Sequence, residues 1–219
     1  MRPDPRLVVV TLTWALAATL LPPRAWPSAA DRGGDGARRQ VTGALARSLR
    51  SSGRAWASFE RESLDPLSGS AVTLKGELVL ELPDRVALSF ASSGERLSLH
   101  GDGGEWLQPE LRQMLVLGPP QVAAARLWWD ALTGRRHPEG AVRRLSSGAF
   151  LLLSSPGQGS ADSAWVWTDR RGLPVRLEVA DETGGRQVFR FRDWRFSRAR
   201  GREAFVVHAP PGYRVIEMP

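Results

Sequence analysis

One stretch constrains this chain more than any other: residues 72–90, VTLKGELVLELPDRVALSF. Val72, Leu74, Leu78, Leu80 and Leu82 fall on one parity, and Thr73, Lys75, Glu77 and Glu81 on the other. Alternation with a period of two describes a strand with one apolar and one wet face. Pro83-Asp84 breaks the run, and Val86, Leu88 and Phe90 resume it with Arg85, Ala87 and Ser89 between them. Two half-buried strands across a two-residue break predict an antiparallel hairpin. Such a hairpin cannot bury its apolar face alone in water. The fold therefore turns on what covers that face, protein or ligand.

The flanking sequence supplies more of the same. A strand is predicted over residues 54–63, with Trp56, Phe59 and Glu60. Others follow over 96–100, 106–108 and 111–117, with tight turns at 92–94 and 101–104. Short strands at such regular spacing read as an antiparallel meander. A second set is predicted over 141–145, 150–153, 164–168, 175–179 and 187–196, and a last strand over 203–208. Pro210-Pro211-Gly212 ends that strand and leaves residues 213–219 as a tail. Phe189 and Phe191 share one parity while Trp194 and Phe196 take the other, which predicts a β-bulge near Asp193 or a strand whose two halves face different environments.

Two segments have helical spacing. Residues 37–50 place Val41, Ala44, Leu45 and Leu49 on one face, after a polar linker at 31–36 and before Gly53, a natural stop. Residues 121–133, QVAAARLWWDALT, place Val122, Ala125, Trp128, Trp129 and Leu132 near one face. This apolar helix interrupts the strands in mid-chain and is well placed to lie across the mouth of the sheet. Trp128 and Trp129 stand about 100° apart on a helix, so one is expected to pack inward and the other to sit at the rim.

The first 30 residues read as a secretory signal peptide, with cleavage near Ala30. Arg2 and Arg6 form a basic start, residues 7–21 are apolar, and Ser28-Ala29-Ala30 is a small-x-small cleavage site. The apolar run of about 15 residues is shorter than the roughly 20 needed to span a bilayer. The remaining residues, 31–219, are enough for one domain with its own core. The expected location is the periplasm.

The formal charge is +7, from 30 basic and 23 acidic residues, and Lys75 is the one lysine. The arginines are spread along the predicted strands, so the basic cluster of a nucleic-acid-binding protein is missing and no nucleic-acid partner is expected. A weak attraction to anionic lipid or an acidic partner stays open. The chain has no cysteine, which excludes disulfides, thiolate metal sites and a lipid-modified N-terminal cysteine. His100, His137 and His208 are scattered without metal-ligand spacing, so no metal or other cofactor is expected. Gly-x-Ser-x-Gly, HExxH and P-loop motifs are missing, so the chain is not read as an enzyme. Glu60 and Glu62 share a strand face, an arrangement far more often solvated than catalytic.

The order of these parts resembles the periplasmic lipoprotein carrier LolA and its relatives, over about residues 37–216. The markers are Trp56-Ala57-Ser58-Phe59 after the first helix, Gly76-Glu77-Leu78, Leu82-Pro83 at the hairpin, Asp102-Gly103 with Trp106 and Pro109, and FVVHAPPG at 205–212. The resemblance implies a mainly β fold: an incomplete antiparallel β-barrel, or half-barrel, with an N-terminal helix and a mid-chain helical lid over a hydrophobic cavity. It also implies a carrier of lipoprotein acyl chains that receives them from an inner-membrane ABC transporter (LolCDE-like). An outer-membrane acceptor would take them on, with no cofactor and no bond chemistry. One departure stands out. In such carriers an arginine commonly precedes the hairpin proline and latches the lid, and here that position is Leu82. Arg85, three residues on, is expected on the opposite face and is not given that role.

A half-barrel would line its inner face with Leu78, Leu80, Val86, Leu88, Phe90, Leu97, Leu99 and Trp106 from strands, and Trp128 and Leu132 from the helix. These are the candidate lipid-binding residues. Each also reads as ordinary core, because periodicity does not distinguish a core wall from a cavity wall. The leading expectation is a monomeric periplasmic carrier. The alternative is a lipid-binding sensor or interaction module of the envelope with the same half-barrel and no lipoprotein transfer.

Overall fold

The computed structural model describes residues 34–64, 70–133, 142–145, 149–153, 163–180 and 186–218, all within the unit Arg32–Pro219. The expected signal peptide lies outside the described residues, as does His137.

Helix α1 (Gly34–Ser52) starts earlier than predicted, inside the stretch read as a linker. Leu45 and Leu49, four apart and so on one face, are fully buried. Gly53 ends the helix at a φ of 92°, with its N–H on the Leu49 carbonyl at 2.7 Å. Only glycine reaches that left-handed conformation without steric cost.

Strands β1 (Arg54–Leu64), β2 (Ala71–Glu81), β3 (Arg85–Phe90), β4 (Arg96–His100), β5 (Gly103–Gln108) and β6 (Gln113–Leu117) form the first meander, each antiparallel to the next. The 72–90 hairpin is built as predicted, with Leu78 opposite Leu88 and Leu80 opposite Val86. Its turn is Leu82-Pro83-Asp84, with a cis peptide bond before Pro83. Helix α2 (Pro119–Thr133) follows β6. The second meander is β7 (Val142–Arg144), β8 (Phe150–Leu153), β9 (Ser163–Thr168), β10 (Pro174–Ala180) and β11 (Arg186–Ser197). β11 returns antiparallel to β1, which fuses the meanders into one sheet. With β12 (Arg214–Met218) the order is β12-β6-β5-β4-β3-β2-β1-β11-β10-β9-β8-β7, and the two end strands do not pair. The result is the unclosed half-barrel that the resemblance implied.

Alternation decides which side of this sheet is covered. Ala55, Ala57 and Phe59 of β1, Leu78 and Leu80 of β2, Val86, Leu88 and Phe90 of β3, and Phe189 and Phe191 of β11 share one buried cluster with Leu45 and Leu49 of α1 and Val122, Trp129 and Leu132 of α2. The two helices therefore cover the inner face, and the opposite parity forms the outer face.

The predicted bulge is present. Trp56 pairs with Arg195 but Ser58 pairs with Arg192, so one extra residue is absorbed on β11, and Asp193 has a φ of 57°. The bulge turns Trp194 and Phe196 inward against the core. Arg195 thereby keeps the outward parity of Arg190 and Arg192.

Four expectations need correction. Residues 203–208 are not a strand: residues Arg202–Phe205 form a short 3-10 turn that buries Phe205, and the Ser98 hydroxyl donates to the Phe205 carbonyl. Burying that one ring against the sheet outweighs the β-propensity of FVV. The expected tail is instead strand β12, parallel to β6, with Arg214 opposite Gln113 and Met218 opposite Leu117. That pairing joins segments about a hundred residues apart, and local periodicity carries no sign of it. The turn expected at 101–104 is narrower, because Gly103 and Gly104 pair with His100 and Leu99 inside the ladder. Finally, arginines scattered in the sequence are gathered by strand order on the outer face of β10 and β11.

Candidate functional site

The inner face carries a chain of aromatic rings. Phe59 meets Phe90 edge-on at 5.4 Å between centroids and Phe189 at 5.9 Å. Phe189 stacks on Phe191 at 6.2 Å, and Phe191 meets Trp194 at 5.8 Å. Trp129 of α2 sits over this row, edge-on to Phe189 at 5.8 Å and Phe191 at 6.1 Å. Edge-to-face pairs of this kind add about 0.5–1.5 kcal/mol beyond the area they bury. Gly76 makes room for the row: a Cβ there would lie 2.7 Å from the Phe59 ring and 2.1 Å from the Ser89 carbonyl oxygen.

Of the candidate lipid-binding residues, Leu78, Leu80, Val86, Leu88, Phe90, Leu99 and Leu132 lie together in the core cluster. Leu97 and Trp106 face each other across β4 and β5 and are half-buried. The Trp128 side chain lies outside the described residues. Four residues of the site were not among the candidates: Phe59, Trp129, Phe189 and Phe191. The shared parity of Phe189 and Phe191 was a legible signal. The inward placement of Trp129 was not, since it depends on how α2 is rotated. At the hairpin end the covered face leaves little space. The gap there, between Leu49, Leu80, Val86, Trp129 and Thr133 on one side and the turn residues 81–85 on the other, has a volume of only about 10 Å³, the space of one water.

Charged groups stand at both ends of this face. At the hairpin end, Glu81 has the wet parity yet its side chain is fully buried. Its carboxylate accepts the backbone N–H of Arg200 at 2.7 Å and of Gly201 at 2.9 Å, and forms ion pairs with Arg85 at 3.2 Å and Arg54 at 3.8 Å. Burial and the neighbouring Arg200 lower the Arg54 guanidinium from its usual value, against the pull of Glu81. Arg85 also donates to the Leu82 carbonyl at 3.0 Å. Arg85 thus braces the hairpin turn, and Glu81 ties the segment after β11 to it. Nothing in the pattern of residues 72–90 marks Glu81 as different from Glu77.

At the other end, Arg61 shares the inward parity of Phe59 and lies over the Phe90 ring, 4.9 Å from its centroid. Burial lowers the Arg61 guanidinium, with Glu95 opposing. Burial raises the Glu95 carboxyl, against a hydrogen bond from Trp106 and the charge of Arg61. An inward Arg61 breaks the apolar alternation of β1 and closes the aromatic row with a charge.

Beside the hairpin turn is a polar cleft of about 340 Å³, lined by Asp84, Arg85, His100, Gly101, Asp102, Gly103 and Arg202. His100 Nε2 lies 3.0 Å from both carboxylate oxygens of Glu105. Among the described residues no group of three or more His, Cys, Asp or Glu could hold a metal ion, and no helix is long and apolar enough to cross a membrane.

No protein family is matched by the sequence, and no curated protein matches it. Solved structures similar to the chain include an uncharacterized conserved protein from Thermus thermophilus, 14% identical, with a TM-score of 0.46 over 82% of this chain and 98% of that one. Another is a LolA superfamily protein from Nitrosomonas europaea, 10% identical, with a TM-score of 0.43 over 76% of this chain and 98% of that one. A third is the lipoprotein LppX of Mycobacterium tuberculosis, 10% identical, with a TM-score of 0.33 over 73% of this chain and 95% of that one.

Proposed function

We propose that this protein is a periplasmic carrier that takes an acyl chain of a lipoprotein onto the inner face of its half-barrel. The leader is removed near Ala30, residues 31–219 act as one domain, and cargo passes from an inner-membrane ABC transporter to an outer-membrane acceptor. The observation that carries the reading is the seating of Trp129 on the Phe189–Phe191 row, 5.8 and 6.1 Å between centroids. α2 supplies the part of the cover that lies on the aromatic row, so movement of that one helix would uncover the row while α1 stays on the core.

Magnitudes permit the exchange. Exposing Val122, Trp129 and Leu132 would cost on the order of 5–9 kcal/mol, at about 1.5–3 kcal/mol for each fully buried side chain. An acyl chain of about fifteen methylenes would contribute about 12 kcal/mol when buried. The filled inner face then represents the state without cargo, with Trp129 in the place of the chain. The lining is Leu78, Leu80, Val86, Leu88, Phe90, Leu97, Leu99 and Trp106, with Trp128 and Leu132 on the cover and Phe59, Phe189 and Phe191 added by the geometry.

Native mass spectrometry of the protein purified from its own cells tests this. Co-purifying acylated peptide, together with uptake of a fluorescent fatty acid, is the expected result. A bare protein that also refuses the probe would overturn it and favour an interaction module with a permanently filled core.

A further inference from the structure

The outer face of β10 and β11 has no role in acyl-chain binding, yet it carries Arg176, Arg186, Arg190, Arg192 and Arg195. Between Arg186 and Arg202 the chain carries seven arginines and one carboxylate, Asp193, with four of the arginines on β11 itself. Six of the seven arginines are exposed, and Arg190 is half-buried. The bulge at Asp193 brings Arg195 to the face that Arg190 and Arg192 share. Without it, Arg195 would follow Trp194's parity in reverse and turn into the core; with it, Arg190, Arg192 and Arg195 all point outward.

Tryptophans interleave with these charges. Arg195 lies over the ring of Trp56, 5.1 Å from its centroid, and is its partner in the β1–β11 register. Arg176 lies over Trp167 at 4.6 Å and is in register with Arg190 on the next strand. Carboxylates offset part of the charge near β10: Glu178 takes Arg176 at 2.8 Å and Arg186 at 2.7 Å, and Glu62 takes Arg190 at 2.7 Å. Past the bulge Arg195 and Arg198 are exposed, while Arg200 and Arg202 lie at the hairpin end, beside Glu81 and in the cleft with Asp84.

We infer that this outer face docks on an anionic phospholipid bilayer. Charge complementarity supplies the attraction, because a basic residue near an anionic leaflet is worth about a fivefold gain in binding. Tryptophan beside arginine is the pair that suits the boundary between headgroups and water. The same geometry disfavours nucleic acid. Trp56 and Trp167 each already have a guanidinium over the ring, so neither is free to stack a base. The inference is independent of the carrier reading, since it concerns the opposite face of the sheet.

The test is co-flotation of the protein, as its cell processes it, with vesicles of phosphatidylglycerol and phosphatidylcholine against phosphatidylcholine alone. Binding is expected to require phosphatidylglycerol and to weaken steeply with added salt. The triple variant Arg192→Gln, Arg195→Gln, Arg198→Gln is expected to lose on the order of a hundredfold in binding, with its fatty-acid probe uptake equal to the parent's. Equal binding to both vesicles, salt-insensitive binding, or full binding by a folded triple variant would each overturn the inference. Single-stranded DNA bound as tightly as the anionic vesicles would overturn it too. Should the triple variant not fold, the salt titration and lipid comparison on the parent protein still decide.

Discussion

The indole of Trp129 stands edge-on to the ring of Phe189, 5.8 Å between centroids at an interplanar angle of 81°. Replacing Trp129 with alanine removes the part of the cover that touches the aromatic row. Large-to-small changes at such sites cost about 3–5 kcal/mol, part of it for the cavity left behind. Trp129→Ala is therefore expected to lower the unfolding free energy from urea denaturation by that amount while binding a fluorescent fatty acid more tightly than the parent. A loss of stability with no gain in uptake would show that Trp129 is core and nothing more. Leu88→Glu tests the wall from the other side: the buried charge is expected to abolish uptake, and circular dichroism must show that the variant is folded for the result to bear on cargo.

Glu81 gives a second prediction. Its buried carboxylate satisfies two backbone N–H groups and faces two guanidiniums. Removing one side of a buried charged cluster typically costs about 3–5 kcal/mol, because the partners remain buried and unpaired. Glu81→Ala is expected to fall in that range by urea denaturation. Glu81→Gln should lose less, since its amide oxygen still accepts one N–H. Equal stability of Glu81→Ala and the parent would show that water replaces the carboxylate.

Much of the fold was legible because each half of the sheet is a meander, in which sequence neighbours are spatial neighbours. The 72–90 hairpin, the Asp193 bulge and the position of α2 all followed from local periodicity. What was not legible is non-local. The parallel pairing of β12 with β6, and the capture of the segment after β11 by Glu81, depend on chain returns that no window of residues contains. The aromatic row was half visible: Phe189 and Phe191 announced a shared face, whereas Phe59 joins them only through the β1–β11 register. The charge of the outer face was hidden for the same reason, since arginines at alternate positions look dispersed until the strands align them.

Two glycines separate space from backbone conformation. A Cβ on Gly76 would meet the Ser89 carbonyl oxygen at 2.1 Å, a backbone atom that cannot yield without shifting the β2–β3 ladder. Gly101 has nothing within 4 Å of its would-be Cβ but sits at a φ of +60°. Gly101→Ala is expected to cost only the left-handed conformation, about 1–2 kcal/mol. Gly76→Ala should cost more than the 1–3 kcal/mol of ordinary overpacking, and it should disturb the near-ultraviolet signal of the aromatic row. Equal thermal shifts for the two would contradict the close approach at Gly76.

Glu95 sets a pH dependence of known sign. Burial raises its carboxyl above the ordinary value, although Trp106 and Arg61 pull the other way. Between the ordinary and the raised value the folded protein binds more protons than the unfolded chain. Stability therefore falls as pH rises through that window, and the charged carboxylate remains a cost above it. Glu95→Gln removes the titration while keeping an acceptor for Trp106. The variant is expected to be more stable than the parent at neutral pH, and the difference should close as pH drops below the ordinary carboxyl value, where both side chains are neutral. Urea midpoints at neutral and acid pH measure this directly. A variant less stable than the parent at neutral pH would mean that the charge of Arg61 outweighs burial, and Arg61 would then be the group that holds Glu95 in place.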